Sequence, residues 1–500
     1  MKVTVIEEPL LEFGKGTHIC PRNGIERMGV YDTKDELRRS ELRLGIVGRG
    51  EGVDKLDVWL DLCRNGIVGK ESELSNLFKG FGGVSADYGF FTRLLSSPSF
   101  TRAIQKSSIV KVSRIKTREE RVVAAVNLYY EQVQFLAENR AIDVIICVIP
   151  EELFVSLTQK DAGSKKDTGS IEQYMEHDFR RLLKAKCMHL GIPLQLVLES
   201  TLLTGKANRG NQDDATRAWN FATALYYKGN KTVPWRLKEE RFKPKSCYVG
   251  IGFYKSRDGE TISTSLAQVF DEFGHGVILR GTPVVIDKND KRPFMSEEQA
   301  YNLLSSALSE YDKALMQMPA RIVIHKTSKF RDTEIRGFCR VLEEKSVRSK
   351  DFVSITNTDI RLFSQTSYPP KRGTLLSINE NEGVLYTRGT IDFYQTYPGA
   401  YVPNPLKIDV YENDSSLEEL AEEILGLTKM NWNNTQLDGR LPITLECAKK
   451  VGDIMKYVDL GEKPQVSYSF YMQHLLCLIR FSIRHRVKGK LYCYYVNRQT

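Results

Sequence analysis

The chain has 500 residues, 41% hydrophobic and 27% charged, with 72 Lys and Arg against 63 Asp and Glu for a net charge of +9. That length exceeds one ordinary core and predicts two or three domains of a folded, soluble protein. The absence of any apolar run of about eighteen residues excludes a membrane-spanning class. The modest basic excess permits a nucleic-acid partner without requiring one.

The N-terminus, MKVTVIEEPLLEFGKG, carries acids early and has no clean apolar core, which argues against a signal peptide. Nine cysteines stand singly, at 20, 63, 147, 187, 247, 339, 447, 477 and 493, with no CxxC pair. Disulfides and a structural zinc are therefore not expected, and a reducing cytoplasm fits.

Strand-like pieces (KVTVIEE, LRLGIVG) and a helical one (GVDKLDVWLDLCRNG) alternate over the first hundred residues. AIDVIICVIPEELFVSL, from Ala141, reads as a buried strand stopped by Pro150 and followed by a helix. QKDAGSKKDTGS, 159–170, has the composition of a loop. A helical pattern covers Ile171–Ala185, GIPLQLVLES is a short strand, and Asp214–Lys228 is a long helix ended by Gly229. This βαβα order predicts a parallel sheet carrying helices.

KEERFKPKS is a charged link and a boundary, after which a second α/β unit opens at CYVGIGFYKS. Strand–turn–strand signals follow (FYKSRDGETIST, GVILRGTPVVI), then the helix SEEQAYNLLSSALSEYDKALMQ. Next comes RIVIHKTSKF, a buried strand that breaks into a polar turn ahead of a helix opened by Asp332. Helices at SSLEELAEEILGLTK and from about Pro442 complete the pattern. Strands first, then alternating helices and strands, is the order of an RNase H-like fold.

Candidate binding residues lie in the first unit. Arg180 and Lys184, four apart in HDFRRLLKAKC, share a helix face; Gln195 opens the next strand, and Lys228 ends a later helix. Cations and an amide converging on one point suit a phosphate, to which lysine brings charge and glutamine a directed donor. On spacing alone, the plainer reading of two solvated helix ends stands beside it.

HDFRRLLKAKCMHLGIPLQLVLESTL, ATALYYKGNKTVPW, CYVGIGFYKS, RIVIHKTSKFRDTEIRGF and LPITLECAKKVG occur in this order. Together they resemble the MID and PIWI domains of a short prokaryotic Argonaute over roughly 1–472. The resemblance implies an α/β chain. An N-terminal segment and a Rossmann-like MID domain would fill 1–240, and an RNase H-like PIWI domain 241–472. It leaves no room for the N and PAZ domains of a full-length Argonaute. By the same resemblance Lys184, Gln195 and Lys228 take the places that grip the 5′-phosphate of a guide strand. Arg180 stands where the family often has a tyrosine that stacks on the first base; its guanidinium can stack or bind phosphate.

A cleaving PIWI domain needs four acidic or metal-binding side chains around two divalent ions. The matching places here hold Gly252, Thr327 beside Lys326, and Cys447 next to Glu446, while LRGTPVV, where a glutamate is expected, has no acid. The resemblance thus implies no catalytic residue and no metal at this face, with enzymatic activity residing in a partner. Asp258, Asp332 and Glu334 read as turn and helix N-terminal acids. Lys326 and Lys329 read as contacts to the guide–target backbone.

The partners implied are a short 5′-phosphorylated guide RNA, a complementary single-stranded DNA and an APAZ-containing effector. That effector would carry a TIR or sirtuin-like NAD-degrading domain, or a nuclease, in prokaryotic defence. VSYSFYM, ending at Met472, matches the family's C-terminal finish, whose carboxylate helps hold Mg2+ at the guide phosphate. The 28 residues after it, 473–500, leave that Mg2+ contact open. They read as a nucleic-acid or partner contact, or as a disordered or artefactual tail.

Overall fold

The computed structural model describes residues 1–457 except 37, 159–170, 206–211, 231, 239–244, 256–261, 271–275, 285–292, 364–367 and 400; for 171–177, 265–270, 276–282 and 314 it describes the backbone alone. The expectations for the 159–170 loop, most of the KEERFKPKS link, Asp258 and everything beyond 457 lie outside the described residues.

The chain opens with strands β1 (Lys2–Val5), β2 (Leu11–Phe13) and β3 (Gly16–His18) and helix α1 (Pro21–Met28). The first unit then runs β4 (Glu41–Gly48), α2 (Gly50–Asn65), β5 (Arg93–Leu95), β6 (Thr101–Ala103), α3 (Lys106–Ser113), α4 (Arg118–Asn139), β7 (Val144–Ile149), α5 (Glu151–Thr158), α6 (Ile171–Cys187), β8 (Leu194–Leu198) and α7 (Asp214–Asn230). Here β4 and β7 sit side by side in parallel, β8 forms one edge, and β5 and β6 share the other. Alternate side chains of β4 point to opposite faces: Leu42, Leu44 and Ile46 meet α2 and α7, while Val47 joins α4, α5 and α6. Both faces of the sheet are covered, which is why β7 is apolar throughout. The 22-residue α4 is capped by Thr117, which accepts from the Glu120 N–H; the sequence reading passes over this helix.

β9 (Arg236–Leu237) closes a small sheet with β2 and β3. The second unit holds β10 (Ser246–Lys255), β11 (Ile262–Phe270), β12 (Gly276–Val284), α8 (Glu297–Leu315), β13 (Arg321–Lys326), α9 (Asp332–Glu344), β14 (Ser349–Asn357), β15 (Thr374–Ser377), β16 (Glu382–Leu385), β17 (Leu406–Asn413), α10 (Leu417–Leu427) and α11 (Ile443–Met455). Its nine described strands follow the order β1-β15-β16-β17-β14-β13-β10-β11-β12. The three central strands, β14, β13 and β10, are parallel, and the flanks are antiparallel. Thus β1, at the other end of the chain from these strands, is an edge strand of the second sheet, paired with β15. The half-buried Glu8 just beyond it is held by Arg372 at 2.9 Å and Lys429 at 3.0 Å.

The two units share one core. Helix α7 is buried along its length, and its Tyr227 packs on Trp432. Trp235 donates to Lys429 O at 3.1 Å, and Trp432 donates to Trp235 O at 2.8 Å. These aromatics continue the apolar layer of β4 and α2 to Ile443 and Cys447 of α11. Helix α11 is therefore fixed between the units, and both candidate regions touch it.

Candidate phosphate pocket and the face beside it

Arg180 and Lys184 lie near the end of α6, and both are buried, Lys184 being only 6% exposed. The helix ends in a short turn whose Gly191, at φ +68°, takes the left-handed conformation that reverses the chain into β8. That reversal sets Gln195 beside α6 on the edge strand. Lys228, in the last turn of α7 and 1% exposed, donates to Gln195 Oε1. The four residues singled out in the sequence are thus brought together at the carboxyl ends of two helices. The helix dipoles there favour cations.

The second unit completes the cluster. Lys450 of α11 reaches Lys184 electrostatically, an approach that sequence reasoning missed, and it pairs with Glu446 at 2.5 Å. Arg181 pairs with Asp453 of α11, while Asp178 accepts from Tyr457 and from Arg118, the latter at 2.8 Å. An apolar contact of Met188 with Val451, Ile454 and Met455 seats α6 on α11. The basic residues of LECAKKVG were a visible signal, but only the packing of α11 against α6 selects Lys450.

Charge around Lys184 is one-sided. Among the described residues no carboxylate is hydrogen bonded to or paired with Lys184. Burial, and then Lys228, Arg180, Lys450 and Arg181, hold its ammonium well below the ordinary lysine range. Acids nearby are engaged with other cations, so the described side chains offer Mg2+ no spare carboxylate here, and nothing below depends on that ion.

At the opposite end of the same sheet, the carboxyl ends of β4, β7 and β8 form the crevice where an open α/β sheet ordinarily takes a ligand. The chain fills it with its own side chains. Buried Glu199 accepts from Arg49 at 3.2 Å and from Lys55 at 2.6 Å, and Arg49 also pairs with Glu152 at 3.0 Å.

Gly252, Thr327 and the start of α11 do meet on one face of the second sheet. The Thr327 N–H donates to Ile251 O at 3.4 Å, beside Gly252, and the β10–β11 register shifts between Gly250 and Gly252. Helix α11 lies directly on this floor: a methyl group on Gly250 would stand 2.3 Å from Thr444 O. Thr444 Oγ1 is 2.9 Å from His325 Nδ1, and burial drives the fully enclosed imidazole down to a pKa of about 3. Cys447 is buried in the shared core, where burial pushes its thiol well up. Among the described residues, no three His, Cys, Asp or Glu side chains gather closely enough to hold a metal ion.

One expectation is corrected. Lys326 is 0% exposed and turns to the α9 side of the sheet, where Glu334 holds it at 2.6 Å between the rings of Phe253 and Phe330. It cannot reach a nucleic-acid backbone. A strand that ends in lysine looked solvent-facing in the sequence because its partner, Glu334, lies eight residues on, across a turn. Glu334 is used up there, also accepting from the Met295 and Arg331 N–H groups. Lys329 is exposed.

Solved structures share this architecture. The Clostridium butyricum Argonaute bound to a guide DNA and a 19-mer target DNA matches at a TM-score of 0.64 and 17% identity, over 93% of this chain and 54% of that one. The fold is that of the Argonaute proteins. Drosophila Piwi matches at a TM-score of 0.56 and 13% identity, over 94% of this chain and 56% of that one. Marinitoga piezophila Argonaute, in complex with a 5′ OH guide RNA, matches at 0.54 and 14%, over 93% of this chain and 60% of that one. The chain spans little more than half the length of these Argonaute structures. No family model matches it, and no curated protein matches it. Within the Argonaute fold, the mixed sheets and the helices between them are common ground, and identities this low carry no residue roles across. No described helix is long and apolar enough to cross a membrane.

Proposed function

We propose that this chain anchors the 5′-terminal phosphate of a short guide RNA and presents its bases to complementary single-stranded DNA. The observation that carries this reading is the cluster of buried Arg180, Lys184 and Lys228 around Gln195, joined from the second unit by half-buried Lys450, with no described carboxylate on Lys184. Cations kept together out of water, with no carboxylate on Lys184, suit an anionic ligand that is absent from the free chain. A phosphate monoester brings two charges and three acceptor oxygens, whereas a 5′-hydroxyl brings neither. The lysines supply charge and donors, the Gln195 amide orients, and Arg180 lies within reach of the first nucleotide.

Strand orders support the finer fold reading. A parallel sheet with helices on both faces is Rossmann-like, and β12-β11-β10-β13-β14 is the order of an RNase H-like sheet. On this reading 1–240 is the N-terminal segment with MID, 241–472 is PIWI, and 473–500 is an extension of unassigned role. Pairing between guide and target carries sequence specificity, while the protein holds backbone and shape, with Lys329 at the duplex. With Gly252, Thr327 and Cys447 in the metal-binding places, the paired target is held and not cut. Output then belongs to a second polypeptide, the APAZ-containing effector, in prokaryotic defence.

Two measurements test this. Short nucleic acids that co-purify with the chain are expected to be enriched in 5′-phosphorylated RNA; no enrichment sinks the guide reading. Incubation with a 5′-phosphorylated guide, complementary DNA and Mg2+ or Mn2+ is expected to leave the target intact. Cleavage opposite the guide would show instead an endonuclease with a relocated metal site.

A further inference from the structure

Lys184 sits at the centre of the pocket with its ammonium facing other cations. On its own helix these are Arg180 and Arg181; α7 contributes Lys228, and α11 contributes Lys450. Among the described residues, the acids nearby on these elements face elsewhere: Glu446 holds Lys450, Asp453 holds Arg181, and Asp178 is taken by Arg118 and Tyr457. From β8 comes the neutral Gln195 amide, which accepts from Lys228, and from β7 the Cys147 thiol, kept protonated by burial. A charged lysine in such a place repels every neighbour, and a neutral one does not. The free pocket thus favours an uncharged Lys184, and a dianion in the pocket reverses that preference.

We infer that a terminal phosphate monoester enters this pocket together with one proton, taken from solvent by the Lys184 amine and then held by the phosphate as an ammonium–phosphate contact. This rests on the phosphate reading above and adds to it a proton that the bare contacts do not require. The balance is simple: amine, solvent proton and phosphate dianion give an ammonium beside the dianion, and no other bond changes.

The sign follows from linkage. Lys184 has a lowered pKa in the free pocket and a higher one beside the phosphate. Between those two values binding takes up a proton, so affinity falls about tenfold for each unit by which pH rises. Below the lower value the amine is already charged and the dependence vanishes. The phosphate monoester loses its own second proton near pH ~6, so work at about pH 8 leaves the protein as the acceptor.

The test is calorimetric titration of the full chain with a short RNA bearing either a 5′-phosphate or a 5′-hydroxyl. It is run in HEPES and in Tris, whose ionisation enthalpies differ. For the 5′-phosphorylated strand the enthalpies are expected to differ between buffers by the amount of about one proton. The 5′-hydroxyl strand is expected to show no difference. Lys184→Arg, whose guanidinium stays charged, is expected to bind the phosphorylated strand without buffer dependence. If that variant does not fold, Lys184→Gln takes its place, and its residual binding is expected to be equally insensitive. Equal wild-type enthalpies in the two buffers overturn the inference while leaving the phosphate pocket standing. Proton uptake that persists in either variant also overturns it. No preference for the 5′-phosphate removes both the inference and the reading beneath it.

Discussion

Lys184 and Lys326 are both buried, both stand near the end of a regular element, and are opposite in what surrounds them. Lys326 carries its counter-ion with it, Glu334 at 2.6 Å, inside a ring of aromatics. Lys184 faces Lys228, Arg180, Lys450 and Arg181. A buried ion that is paired within the chain is a piece of architecture; an amine surrounded by cations becomes charged only at a cost of several kcal/mol, which an anionic ligand can offset. Under the proposed function, Lys184 and not Lys326 is where an external anion would bind. The pair also teaches that a basic residue near a nucleic-acid channel is no evidence of contact until its partners are known.

The comparison breaks most directly in binding. Lys184→Ala with Lys228→Ala removes two charge-assisted contacts, worth about 3–6 kcal/mol together, a loss of roughly a hundred-fold or more in affinity. Fluorescence anisotropy with a 5′-phosphorylated RNA reads it, and unchanged affinity would refute the pocket. The 5′-hydroxyl strand is expected to lose far less.

Stability sharpens the same contrast. Lys326→Met strands Glu334 without its cation and is expected to destabilise by about 3–5 kcal/mol in urea titration. Lys184→Met removes a buried amine that no described carboxylate holds and is expected to leave the Tm of the free chain no lower than wild type. A Tm that drops as far as for Lys326→Met would show Lys184 to be structural.

Smaller effects probe the floor beneath α11. Gly250→Ala would push a methyl group into Thr444 O, which stands 2.3 Å from that position, and is expected to cost about 1–3 kcal/mol. His325, at about 3 when folded, titrates near ~6.5 when unfolded. Its folded pKa is depressed, so the unfolded chain binds the extra proton as pH falls. The stability due to neutral His325 is complete above about pH 6.5 and is lost towards pH 3 at about 1.4 kcal/mol per unit. Urea midpoints between pH 7 and about pH 5 read the slope, and His325→Gln is expected to flatten it. Lys329→Ala is expected to do least, lowering the salt slope of duplex binding by about one, with its largest loss of affinity at low salt.

Much of this was legible in the chain. The strand stopped at Pro150, the helix from Asp214 and the strand RIVIH with its following helix are found where the patterns put them, because apolar periodicity and turn residues act locally. Lys184, Gln195 and Lys228 could be named because each sits near an element's end that the sequence marks, and Arg180 because it lies one helical turn before Lys184. The edge position of β1 was not legible, since KVTVIEE gives no hint that Val3 pairs with Leu376, 373 residues away. Nor was Lys450, whose neighbours belong to another unit.

By itself, then, the sequence determined the succession of elements, the four residues that the fold gathers at Arg180, Lys184, Gln195 and Lys228, and the lack of acids at Gly252 and Thr327. Those depend on residue type and short-range spacing. Only the tertiary structure decided which lysine lies among other cations and which is neutralised within the core. It seated α11 against Gly250 at one end and Lys184 at the other, and it stitched the first residues into the last sheet. The reason is that charge pairing and close packing act through space, and the burial that fixes their energies exists only once the two units share a core.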